Sequence, residues 1–243
     1  MSQEPAVPPR LFVIGDSISL HYGPYLESLV EGRFAYRRKG AEATRDAGGP
    51  PEQKVDVPRE VGRGAGAPAV LDYPHGPFGE NAGDSGMVLA YLSARPVAAV
   101  ADVLLLNCGL HDLKVDRLTG RHQVAIERYE ENLAASVAIV RDTGTRLVWC
   151  TTTPVEDDVH ALRGRDLAFG RSAMDVTRYN AVATRVMQAA RVPIIDLHAM
   201  TLALASDDGG GRAGLYVDHV HYQPWVRAAQ AAHIAGWLSG RFA

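Results

Sequence analysis

The sequence predicts an α/β fold, a parallel sheet of about five strands covered by helices on both faces as a three-layer α/β/α sandwich. Three observations predict it. Short apolar runs alternate with stretches of helical periodicity along the whole chain. The runs are almost continuously apolar and do not alternate with polar residues, as expected of strands buried on both faces. Polar clusters follow the runs, on the side where open α/β sheets bind their ligands. No internal repeat and no second-domain boundary is visible, so residues 1–243 read as one domain.

The first strand is Leu11-Phe12-Val13-Ile14, bounded by Arg10 and by the turn Gly15-Asp16-Ser17. Tyr22, Leu26, Leu29 and Val30 then follow helical spacing, with Pro24 in a first turn and Gly32 as the stop. Residues 34–38 read as a second strand. From 39 to 80 periodicity is lost to Gly, Pro and charged residues, and this stretch reads as a long loop insertion near the site. Asn81-Ala82-Gly83-Asp84-Ser85-Gly86 leads into a short helix with Met87, Leu89, Ala90 and Tyr91.

Residues 103–109 form the clearest strand and end in Leu110-His111-Asp112. Ile126, Tyr129, Leu133, Val137 and Val140 recur at spacings of three and four on a helix that Gly144 ends. A fourth strand runs from Arg146 into Thr151-Thr152-Thr153-Pro154, and a helix with Tyr179, Val182, Val186 and Ala190 precedes a fifth strand at 192–197. After a Gly-rich stretch at 207–214 comes Asp218-His219-Val220-His221-Tyr222. The last helix carries Trp225, Ala228, Ala232, Ala235 and Leu238.

Composition narrows the function. A net charge of -3 and scattered arginines, with only Arg37-Arg38-Lys39 as a basic run, argue against nucleic acid as a partner. No apolar stretch of about twenty residues could span a bilayer, so no membrane role is expected. The first ten residues lack the basic and apolar regions of a signal peptide, which gives a cytoplasmic expectation. Cys108 and Cys150 lie in apolar runs and read as reduced core residues; neither they nor the histidines show metal-ligand spacing, and no metal or cofactor is expected.

Four polar clusters carry the candidate chemistry: Gly15-Asp16-Ser17, Gly83-Asp84-Ser85, Gly109-Leu110-His111-Asp112 and Asp218-His219-Val220-His221. Gly-Asp-Ser alone is ordinary turn chemistry. A serine becomes a nucleophile only beside a base, usually an imidazole held in one tautomer by a carboxylate. Asp218 and His221, three residues apart, can close that contact, with His219 as the alternative base. Acyl transfer also needs donors aimed at an oxyanion, which the amides of Ser17 and Gly83 and a side-chain N–H of His111 could supply. Asp16 and Asp112 read as carboxylates that hold turns, and Asn107 as a satisfied buried amide.

In these blocks the chain resembles the SGNH (GDSL-type) serine hydrolases. Ser17 matches the nucleophile block, Gly83 the glycine block, and Asp218 with His221 the Asp-x-x-His block. The third block departs: the family has Gly-x-Asn-Asp with asparagine as oxyanion donor, and this chain has Gly109-Leu110-His111-Asp112, as in a bacterial subgroup that Thr151-Thr152-Thr153-Pro154 and Val220-His221-Tyr222 also resemble. A neutral imidazole has one N–H, so His111 is either the replacement donor or a substrate contact. The resemblance implies a flavodoxin-like strand order, 2-1-3-4-5. It also implies hydrolysis of a carboxylic ester, such as an O-acetyl group on a sugar or small metabolite, without metal, through Ser17, His221 and Asp218. An acyltransferase or thioesterase with the same triad, or a non-catalytic binding module, are the alternatives.

Overall fold

The computed structural model describes residues 7–40, 80–205 and 211–242. Its central sheet contains β1 (Arg10–Ile14), β2 (Ala35–Arg38), β3 (Val103–Leu106), β5 (Arg146–Cys150) and β7 (Ile194–Ile195), all parallel, in the order β2-β1-β3-β5-β7. Counting these five alone, the order is 2-1-3-4-5, as expected. Two-residue strands β4 (Val115–Asp116) and β6 (Phe169–Gly170) form a separate antiparallel pair.

Among the described residues seven α-helices flank the sheet: α1 (Ser17–Val30), α2 (Ser85–Ala94), α3 (Ile126–Asp142), α4 (Asp157–Arg163), α5 (Ala173–Ala189), α6 (Leu197–Ala203) and α7 (Pro224–Phe242). Helices α1, α7 and α6 pack side by side in one group, and α2, α3 and α5 in another. Between them lie β1 and β3, whose residues Leu11 to Ile14 and Val103 to Leu106 are almost wholly buried. Each such side chain contributes about 1.5–3 kcal/mol by leaving water. The turns that follow these two strands are therefore anchored in the buried core.

Several elements differ from the sequence reading. Helix α1 begins at Ser17, not near Pro24, because Asp16 caps it: Asp16 Oδ1 accepts the Ile18 amide at 2.9 Å. Pro24 lies inside the helix and removes only the bond to the Leu20 carbonyl. The fifth strand shrinks to two residues, and Leu197 opens α6, capped by Asp196, which accepts from Ala199 N. Trp225 is 52 % exposed, and Val226, Gln230, Ala231, Ile234, Ala235 and Leu238 form the buried face of α7 instead. Leu29 is likewise 49 % exposed.

Both cysteines are free and buried. Among the described residues no helix is long and apolar enough to cross a membrane. The 39–80 insertion falls outside the described residues, apart from its ends, and so does 206–210 within the Gly-rich stretch. Those ends meet: a Cβ on Gly40 would lie 2.8 Å from Cα of Glu80.

Candidate active site

The turn after β1 delivers Ser17 as the first residue of α1, one of the positions whose backbone amide has no acceptor within its own helix. The Asp16 side chain, 1 % exposed, faces inward and caps the helix, and its carbonyl accepts from Ser19 Oγ at 2.7 Å. Burial raises the Asp16 carboxyl above its usual range. Asp16 thus shapes the turn, as its residue type suggested.

Near the other end of the chain, the loop that precedes α7 closes on itself. Asp218 Oδ1 accepts the amides of Val220 (2.8 Å) and His221 (2.7 Å). Tyr216 and Tyr222, bridged as an antiparallel pair, both donate their hydroxyls to the Pro154 carbonyl, at 3.1 and 2.6 Å. The loop is pinned to the end of β5, where Thr151-Thr152-Thr153-Pro154 begins. These anchors bring His221 to Ser17.

His221 Nδ1 lies 2.6 Å from Asp218 Oδ2 and its Nε2 lies 2.8 Å from Ser17 Oγ. An ionised carboxylate only accepts, so Nδ1 carries the proton and Nε2 is left to accept from the serine hydroxyl. Burial works against the Asp218 charge, but the His221 and Val220 amides and the imidazole itself hold its carboxyl down at about 2. The imidazole therefore keeps one tautomer.

His219 turns elsewhere. Its ring packs edge-on against His160 (5.3 Å between centroids) and Phe169 (6.4 Å), and lies 3.8 Å from Asp218 Oδ1. Burial, reinforced by Arg171, pushes it down to about 4, so it is neutral at ordinary pH. His160 accepts the Arg171 amide on Nε2 at 3.1 Å, which leaves Nδ1 to donate to the His219 carbonyl at 3.4 Å.

Two loops carry the remaining candidate oxyanion donors. Gly83 is buried, and its amide donates to Asn81 Oδ1 at 2.9 Å. Ala82 N donates to the Gly15 carbonyl at 3.0 Å, tying this loop to the serine turn. The second loop starts at Gly109, with φ +148°, where a Cβ would overlap Thr152 Oγ1. Only glycine fits there, and the close approach lets Thr152 Oγ1 donate to the Cys108 carbonyl at 3.0 Å. Burial, then Lys114 and Arg171, lower His111 well below the usual imidazole range, so it presents a neutral ring.

Asp112 joins the two loops. Its carboxyl group accepts the Ser85 amide at 2.9 and 3.1 Å, at the start of α2, where Asp84 also caps Met87 N at 3.0 Å. Asn107 is the satisfied amide expected, donating to the Cys150 carbonyl at 2.9 Å.

Sequence reasoning left two residues of this region without a role. His21, four residues after Ser17 on the same face of α1, packs its ring 4.6 Å from that of His221. Burial, with the neighbouring His221 and Arg227, brings it down to about 4. The i, i+4 spacing was the available signal. Arg171, nearly buried, donates from Nε to the Leu110 carbonyl at 2.7 Å. Among the described residues no cluster of His, Cys, Asp or Glu could hold a metal ion.

The architecture is similar to that of several solved structures. A lipase/acylhydrolase from Enterococcus faecalis superposes with a TM-score of 0.63 over 97 % of each chain, at 14 % identity. A GDSL-like lipase from Bacteroides thetaiotaomicron gives 0.60 over 96 % of this chain and 88 % of its own, at 10 % identity. A catalytic mutant of an acetylxylan esterase from Geobacillus stearothermophilus gives 0.60 over 93 % and 92 %, at 14 % identity. At such identities the likeness is one of fold. No family model and no curated protein matches the sequence.

Proposed function

We propose that the protein is a serine esterase of the SGNH (GDSL) type, in the branch whose third block reads Gly-Leu-His-Asp, and that it hydrolyses short acyl esters, O-acetyl groups on a carbohydrate or small metabolite above all. The observation that carries this reading is the continuous chain Asp218, His221, Ser17, with bonds of 2.6 and 2.8 Å. The lipase and acetylxylan esterase neighbours on the same fold support the reaction class and the carbohydrate ester.

Ser17 Oγ attacks the acyl carbon as its proton passes to His221 Nε2; Asp218 faces the imidazolium that results. The tetrahedral oxyanion lies against the Ser17 amide at the N-terminus of α1, the Gly83 amide and the His111 N–H. The Gly83 amide reaches it by giving up Asn81 Oδ1. His221 returns the proton to the leaving alcohol, and a water activated by the same imidazole releases the acid and restores Ser17.

A fluorophosphonate probe tests this directly. The wild-type protein should be labelled at Ser17 and should hydrolyse an aryl acetate; Ser17→Ala should do neither while keeping its fold. Turnover by the purified alanine variant would end the reading.

A further inference from the structure

Arg171 belongs to none of the four sequence blocks, yet it sits against the third. It follows β6, and the pairing of Gly170 with Val115 brings it beside the loop that precedes β4. From there Nε donates to the Leu110 carbonyl, 61 residues earlier in the chain, at 2.7 Å. The guanidinium carbon lies 4.8 Å from the centroid of Phe169, a ring that Lys114 Nζ approaches at 4.7 Å. Its backbone amide is fixed on His160 Nε2. Only 9 % of the residue is exposed. A guanidinium buried to that extent gives up most of its hydration, a cost that hydrogen bonds and use of its charge must offset.

Its position shows the use. The Leu110 carbonyl and the His111 amide belong to one peptide unit, which is planar, so a donor fixed on that carbonyl fixes the backbone from which His111 projects. Immediately behind, Leu113 N donates to the Gly109 carbonyl at 3.0 Å and closes the turn. An asparagine donor would be neutral at every pH. An imidazole can take up a second proton or exchange tautomers, and its single N–H must point one way. A histidine in this place needs a partner that asparagine would not.

We infer that Arg171 is the positioning residue of the His111 donor, its Nε holding the Leu110-His111 peptide and its fixed positive charge close by. The inference rests on the serine-esterase reading. The charge acts in the required direction: with burial and Lys114, it disfavours the imidazolium form of His111, and it acts likewise on His219.

A double-mutant cycle on aryl acetate hydrolysis tests it. Arg171→Gln should lower kcat by about 10- to 100-fold, part of what loss of one oxyanion donor costs, with KM changed less than about twofold. Arg171→Lys, which restores charge without the Nε bond, should fall between. In the His111→Ala background either substitution should add less than about threefold, because residues acting as one unit are not additive. Equal losses in both backgrounds, or an effect confined to thermal stability, would overturn the inference. If the glutamine variant does not fold, the lysine variant carries the same cycle. Wild-type protein that neither labels with fluorophosphonate nor hydrolyses the ester would instead remove the esterase reading itself.

Discussion

The Asp112 carboxyl group receives the Ser85 amide on both oxygens, at 2.9 and 3.1 Å, and so fastens the loop carrying His111 to the loop carrying Gly83. Two candidate oxyanion donors from distant parts of the chain share one buried clamp. The clamp has a pH signature, because burial raises Asp112 to about 8.

An unfolded aspartate releases its proton near pH 4, so between about pH 4 and 8 the folded protein holds a proton that the unfolded chain does not. Stability due to this group therefore falls as pH rises through that window, by at most about 1.4 kcal/mol per pH unit. Asp112→Asn keeps an acceptor for Ser85 N and removes the titration. Urea unfolding midpoints at pH 5, 6 and 7 should decline more steeply for wild type than for the variant. The histidines held neutral in the fold are common to both proteins, so the difference isolates Asp112. Parallel slopes would contradict the clamp's protonation.

For the base, His221→Ala should lower kcat by about 10⁴-fold or more, whereas His219→Ala should stay within about tenfold. His221 touches Ser17, and His219 packs on His160 and Phe169. Steady-state rates on an aryl acetate decide this, with circular dichroism to check folding. A larger loss at His219 would reverse the two roles.

The insertion at 39–80 is proposed to set substrate choice, since it leads into the loop carrying Gly83. The contact of Gly40 with Glu80 means that its two ends need no span to join, and loop-closure entropy changes only slowly with length. Replacing 55–70 by a short Gly-Ser linker should leave Tm within a few degrees and preserve turnover of a minimal acetyl ester, while flattening the ranking of larger esters. Unfolding, or an unchanged ranking, would make the segment structural.

What the sequence disclosed follows from how local each signal is. Gly15-Asp16-Ser17 at the end of an apolar run and the three-residue interval from Asp218 to His221 are local, and both were legible. The parallel strands were legible because burial on two faces leaves unbroken apolar runs such as Leu104-Leu105-Leu106. In α7, alanines on several faces blur the stripe, so the spacing through Trp225, Ala228, Ala232, Ala235 and Leu238 meets the buried face only at Ala235 and Leu238. Strands β4 and β6, at two residues each, are too short for any period to show. Arg171 was invisible for a different reason: its meaning lies in a carbonyl 61 residues away.

The hydrogen bond from Ser17 to His221 spans 204 residues, and α1 and α7, which bear and follow those two residues, pack together. At a synthesis rate of about 5–20 residues per second, Ser17 precedes His221 by about 10–40 s. Throughout that interval the serine is an ordinary alcohol. On the proposed mechanism reactivity begins only when the last helix docks on the first, so a stalled chain, or one clipped ahead of Asp218, carries the Gly-Asp-Ser sequence without a base for its serine.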